Sequence, residues 1–203
     1  MSLLFDQISP TPAAAVLGVA GVAATTWALV RRRAWTVPRA LVGLAICVYA
    51  VGILVNSAFP IYLGAVPDSS PWTTAINYRL FHETELDDAV ENILIFAPVG
   101  VLLPLALRIR TVVGVIVGGF LLSLTIELLQ LLNSVTGHGG HIADVNDLLA
   151  NTIGAPVGYA VARLAMRLPP LRALAATFAW PGAGFSAEDR ERRPAEPPSA
   201  TAA

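Results

Sequence analysis

The sequence contains no lysine. All thirteen of its basic residues are arginine, set against fourteen acids. The net charge is therefore near zero, which excludes the bulk electrostatic attraction expected of a nucleic-acid binder. There is one cysteine, Cys47, inside an apolar block. A single thiol cannot close an intramolecular disulfide or supply a cysteine metal motif, so Cys47 reads as a small packed hydrophobe. Charge of either sign is scarce, at 13% of 203 residues. A soluble domain usually carries about 25%.

What the chain has instead is apolar sequence in long blocks, 55% hydrophobic overall. A spanning helix needs about 20 mostly apolar residues to cross a hydrocarbon core about 30 Å thick. Five segments meet that need: 13–30, 40–63, 92–107, 112–132 and 148–166. The third is short unless residues before Asn92 extend it. Thr84 followed by Asp87 and Asp88 resembles an N-cap with acids in the first turn, which would start that helix near Glu85. The expected fold class is an all-α polytopic membrane protein with about five transmembrane helices.

The arginines orient the bundle. Arg31, Arg32, Arg33 and Arg39 lie between the first two segments, and Arg108 and Arg110 between the third and fourth. Arg163, Arg167 and Arg172 follow the fifth, and Arg190, Arg192 and Arg193 sit in the tail. The other side holds only Arg79, together with Asp68, Glu83, Glu85, Asp87, Asp88, Glu91, Asp144 and Asp147. Arginine collects on cytoplasmic flanks, so the expected topology is N-out/C-in. The first arginine cluster follows the first apolar run. That segment is therefore expected to remain as a reverse anchor and not to be removed as a signal peptide.

The organisation expected is a short outer N-terminus (1–12), two helices (13–63), an outer loop (64–91), a three-helix core (92–168) and a cytoplasmic, disordered tail (169–203). Trp72, Tyr78 and Phe81 in the outer loop suit the headgroup level, or a lid or re-entrant segment over the bundle. The tail, rich in Pro, Ala, Glu and Arg after about Pro181, is expected to be disordered.

Three places break the apolar pattern near outer helix ends, where ionisable and amide side chains are costly and usually functional or paired. The first is Asn92 in the string Asn-x-x-x-Phe-x-Pro-x-Gly, with Pro98 and Pro104 favouring a kink. The second is Ser123–Gln130. At about 100° per residue, Ser123, Glu127, Gln130 and Ser134 share one helix face. Glu127 is then immersed, though not at the midplane, and must face protein or water. The third begins at His141. Asp144, Asp147, Asn151, Gly154 and Gly158 follow at helical spacing, placing acids at a helix N-terminus and a small-x-x-x-small surface below. The topology brings Asn92, Glu127, Gln130, His141, Asp144, Asp147 and Asn151 to one level.

These strings, in this order on consecutive membrane segments, resemble the VanZ-like family, over about Asn92 to Tyr159. Where that family usually shows Arg this chain has His141, and where it often shows a further acid it has Asn146. The resemblance implies a multi-pass protein of the bacterial plasma membrane, acting in cell-envelope chemistry or glycopeptide (teicoplanin-type) resistance.

Three readings of the cluster stand side by side. Its acids and amides could tie three helices together. Asn92, Glu127, Gln130, His141 and Asn151 could bind an outer-leaflet ligand: a membrane lipid headgroup, a lipid-linked cell-wall precursor or a glycopeptide. Or Glu127, Asp144 and Asp147 could be catalytic, as acid/base groups or metal ligands, with His141 as shuttle or ligand. His138 and His141 with the two aspartates have the residue types for Zn²⁺, but not the spacing of a zinc signature. No metal or cofactor is therefore expected. No nucleophile-elbow string appears, and the inner helix halves lack polar residues to line a transport path.

Overall fold

The computed structural model describes residues 7–59, 61–62, 71–80, 86–137 and 142–186. Five long helices dominate: α1 (Pro10–Arg31), α2 (Val37–Ala58), α3 (Leu86–Ala106), α4 (Val112–Val135) and α5 (Val145–Ala165). A short α6 (Pro169–Phe178) follows. The helices start where local chemistry lets them. The Ser9 Oγ accepts the Thr11 N–H ahead of α1, and the Thr111 Oγ1 accepts the Gly114 N–H ahead of α4. Pro10 occupies a first-turn position whose N–H would be orphaned in any case.

Small strand pairings fix which ends lie together. β1 (Gln7–Ile8) runs antiparallel to β2 (Ile61–Tyr62), joining the start of α1 to the end of α2. The Asn133 Nδ2 donates to the Ala58 carbonyl at 3.0 Å, bringing in the end of α4. β3 (Ile76–Asn77) lies parallel to β4 (Ala143–Asp144), which leads into α5. The helices therefore alternate in direction, and every acid among the described residues lies at this one end. Arg31, Arg32, Arg33, Arg39, Arg108, Arg110, Arg163, Arg167 and Arg172 lie at the other.

Helices α1 to α4 are long and apolar enough to cross a membrane. α5 is as long as α3, but it lies between α3 and α4 and presents much of its surface to protein. Asn146, Asn151, Gly154, Ala155 and Gly158 are all buried there, so α5 tolerates polar and small residues that a lipid-facing helix would not. Glycines set the closeness of that packing. A Cβ at Gly158 would collide with the Ala97 carbonyl oxygen, one at Gly154 with the Ile93 carbonyl oxygen, and one at Gly100 with the Ala155 carbonyl oxygen.

α3 starts at Leu86, as the acids of its first turn, Asp87 and Asp88, imply, ahead of the apolar block that begins at Asn92. It also runs unbroken through Pro98 and Pro104 to Ala106. α2 stops at Ala58, short of residue 63.

The expected disorder of the tail is overturned for residues 169–186. After α6, Ala179, Trp180, Ala183 and Phe185 are buried in the main core cluster with Leu29, Val42, Val115 and Tyr159. The backbone N–H groups of Trp180, Phe185 and Gly184 donate to the carbonyls of Leu105, Pro104 and Leu107 at 2.8, 3.0 and 2.9 Å. Those are orphan carbonyls at the end of α3, which this segment satisfies. The Trp180 Nε1 donates to the Arg39 carbonyl, and the Arg39 Nε donates to the Ala179 carbonyl. The Phe185 ring stacks on Tyr159 with centroids 5.9 Å apart. Residues 187–203 lie outside the described part.

Candidate functional site

The site is built at the acidic end, where α3, α4 and α5 meet the chain around β3 and β4. Asp144 is the N-cap of α5. Its Oδ1 accepts the Asn146 N–H at 2.7 Å and the Asn146 Nδ2 at 2.9 Å. Its Oδ2 accepts the Asn77 Nδ2 at 2.8 Å. Its own backbone N–H donates to the Glu127 Oε2 at 2.8 Å. One residue thus links α4, α5 and the loop strand β3. A turn further along α5, the Asp147 Oδ1 accepts the Asn92 Nδ2 at 2.8 Å, which ties in α3.

Glu127 is 6% exposed and sits on the inward face of α4 with Ser123 and Ile126. Below the paired layer the polar column continues. A Cβ at Gly119 would meet the Ala155 Cβ at 2.7 Å, while Glu127 meets Asp144. Ser123 lies between those two points on α4, and Asn151 lies between the same two points on α5. Ser123 is 0% and Asn151 5% exposed. The Ser123 Oγ, Asn151 Oδ1 and Gln130 Oε1 are buried without a hydrogen-bond partner among the described residues.

Of the residues singled out from sequence, the structure brings Asn92 to Asp147 and Glu127 to Asp144, and buries Asn151 beneath them. Gln130 lies on the Glu127 face of α4, half-buried. His141 and His138 lie outside the described residues. Among the described residues no group of three or more His, Cys, Asp or Glu could hold a metal ion.

Two network members escaped the sequence reading. Asn146 is buried, and its Nδ2 also donates to the Arg79 carbonyl at 3.1 Å. Asn77 comes from the loop between α2 and α3, and its Oδ1 accepts the Arg79 N–H at 3.2 Å. Both are amides in polar surroundings, where no contrast marks them. The loop serves two purposes: Trp72 and Tyr78 are exposed, while Ala75 is buried and Asn77 reaches the network.

Four helices fit to cross a bilayer, a fifth held among them and a buried polar network at one end define a polytopic membrane protein. Over residues 41–166, more than half its length, the chain matches the family model described as VanZ/LLP1, and it belongs to that family. The matched region runs from within α2 past the end of α5. It holds every residue of the polar network, while α1 and α6 fall outside it. No curated protein and no solved structure matches the chain.

Proposed function

We propose that this VanZ-family protein acts at the outer face of a bacterial plasma membrane. There its polar end binds a polar group carried by a lipid, either a phospholipid headgroup or a lipid-linked cell-wall precursor. The observation that carries this reading is the set of oxygens of Ser123, Gln130 and Asn151, near the buried Glu127, that have no hydrogen-bond partner among the described residues. A buried hydrogen-bonding atom left unmade costs about 1–3 kcal/mol. Three of them at one site are more than a finished tie between helices would carry. Two amide oxygens and a carboxylate accept only, and the hydroxyl can do either. Such a set of acceptors suits donors: sugar hydroxyls, amide N–H groups or an ammonium.

Segregation of the arginines to one end supports the N-out/C-in orientation, which places the network outside. Kinship with VanZ supports a role in envelope chemistry or glycopeptide resistance. The test is a susceptibility assay in a host expressing the protein, paired with binding of lipid-linked precursor to the purified chain. Glu127→Gln is expected to leave expression near normal and to abolish both. Unchanged resistance and binding in that variant would reject the reading.

A second reading has its own support. The Asn77–Asp144, Asn92–Asp147 and Glu127–Asp144 bonds are all internal, as a structural tie would require. Under that reading Glu127→Gln is nearly silent, and only Glu127→Leu destabilises the fold.

A further inference from the structure

α6 is the most amphipathic helix of the structure, and none of its residues is buried. At about 100° per residue, Leu171, Leu174, Ala175 and Phe178 form one stripe about 100° wide. Among the described residues, protein covers the C-terminal end of that stripe, where Phe178 packs against the core cluster. Leu171 and Leu174 run clear of it, 40% and 53% exposed.

The helix is held at both ends. Behind it, two residues separate Leu168 from the last turn of α5. Ahead of it, the segment from Ala179 is bonded to Arg39 and to the final carbonyls of α3. Its ten residues, about 15 Å of helix, must therefore lie at the arginine end of the bundle. Exposed Trp27 and Trp35 belong to that same end, with the Arg31 guanidinium 5.1 Å from the Trp27 ring. Tryptophans at such a level mark a membrane–water boundary.

Among the described residues the charge at this end has one sign; the tail acids Glu188, Asp189, Glu191 and Glu196 lie beyond them. Arg163, Arg167 and Arg172 are exposed, and between Asp147 and Ser186 the chain carries no acid. The turns 32–36 and 107–111 carry none either. An exposed leucine stripe bordered by arginine, at the same end as the exposed Trp27 and Trp35, matches an anionic bilayer surface.

We infer that α6 is a membrane-surface helix that seats Leu171 and Leu174 in the interface and binds anionic phospholipid headgroups through Arg167 and Arg172. The proposal does not depend on the function assigned to the polar end.

The test uses the full chain, delipidated in neutral detergent and titrated with phosphatidylglycerol or phosphatidylcholine of identical acyl chains. Bound lipid is read by native mass spectrometry. Phosphatidylglycerol is expected to bind more tightly, with a preference that high salt erases. The double variant Arg167→Gln/Arg172→Gln is expected to weaken phosphatidylglycerol about thirty-fold, as follows from the usual contribution of about 1 kcal/mol for each basic residue near an anionic surface. Phosphatidylcholine binding should be unchanged. Leu171→Ser/Leu174→Ser should weaken both lipids. Equal binding of the two lipids by the wild type overturns the proposal, as does a preference that survives high salt. Conversion of a dimer to a monomer by the leucine variant, with lipid preference intact, would assign the stripe to a second copy and also overturn it. The salt titration needs only the wild type, so it decides the question even if a variant fails to fold.

Discussion

Glu127 and Asp144 meet through a main-chain donor: the Asp144 N–H lies 2.8 Å from the Glu127 Oε2. The acid of α4 thus holds the first residue of the turn that starts α5, and the Asp144 carboxylate remains free to cap that helix. A glutamine at 127 keeps an acceptor oxygen at the same place.

Glu127→Gln and Glu127→Leu therefore separate charge from shape. The glutamine variant is expected to fold with a melting temperature close to the wild type in detergent. The leucine variant leaves the Asp144 N–H without its partner and should lose about 1–3 kcal/mol. Equal melting temperatures for wild type and Glu127→Leu would show that the bond contributes nothing.

Asn92 and Asp147 couple α3 to α5 across 2.8 Å. A double-mutant cycle with Asn92→Ala and Asp147→Ala, read from unfolding in mixed detergent, should return a coupling of about 1 kcal/mol, the scale of interhelical hydrogen bonds in membranes. Strictly additive losses would mean that the two side chains act independently.

Gly158→Leu should be far more damaging than either. Its side chain would have to displace the Ala97 carbonyl, which is backbone and cannot swing away. A loss of about 3 kcal/mol or more is expected, with little folded protein recovered. Gly18→Leu is the control, since nothing lies within 4 Å of a Cβ there. Similar yields for the two variants would contradict the close packing of α5 on α3.

Trp180→Ala probes the segment after α6. Trp180 is buried in the core cluster and its indole N–H is bonded to the Arg39 carbonyl. Truncation should cost about 3 kcal/mol or more. A wild-type melting temperature would mean that the segment is dispensable.

Orientation is checked by cysteine labelling in a Cys47→Ser background. Thr73 and Arg32 are both exposed, at opposite ends of the bundle. With the polar end outside, Thr73→Cys reacts with an impermeant maleimide in intact cells, and Arg32→Cys reacts only after permeabilisation. The reverse pattern would invert the protein in the membrane.

The five long helices could be read from the sequence because lipid demands apolar blocks of a fixed length. Hydropathy alone does not give their ends: the first turn of α3 is acidic and stands beyond the apolar block, and only the capping pattern of Asp87 and Asp88 moves the start from Asn92 to near Leu86. The same contrast exposed Glu127, Asp147 and Asn151, polar residues within or beside apolar sequence. It gave no hint of Asn77, one amide in a polar loop.

The segment from Ala179 to Ser186 misled for a different reason. The Pro-, Ala-, Glu- and Arg-rich composition from about Pro181 onward reads as disorder, yet the glycines at its start allow close approach: a Cβ at Gly184 would strike the Ile109 carbonyl, and Gly182 adopts φ +71° against Arg108. Two aromatic side chains among such small residues suffice to bury it.

That segment also sets an order of assembly. The carbonyls of Pro104, Leu105 and Leu107 receive their donors from Phe185, Trp180 and Gly184, which are translated only after all five long helices. During biosynthesis α3 enters the membrane with that end unfinished, and the bundle stays ajar there until the later residues leave the ribosome. A stall or nonsense codon before Trp180 would release a chain with every long helix present and α3 still unsealed, a natural substrate for membrane quality-control proteases.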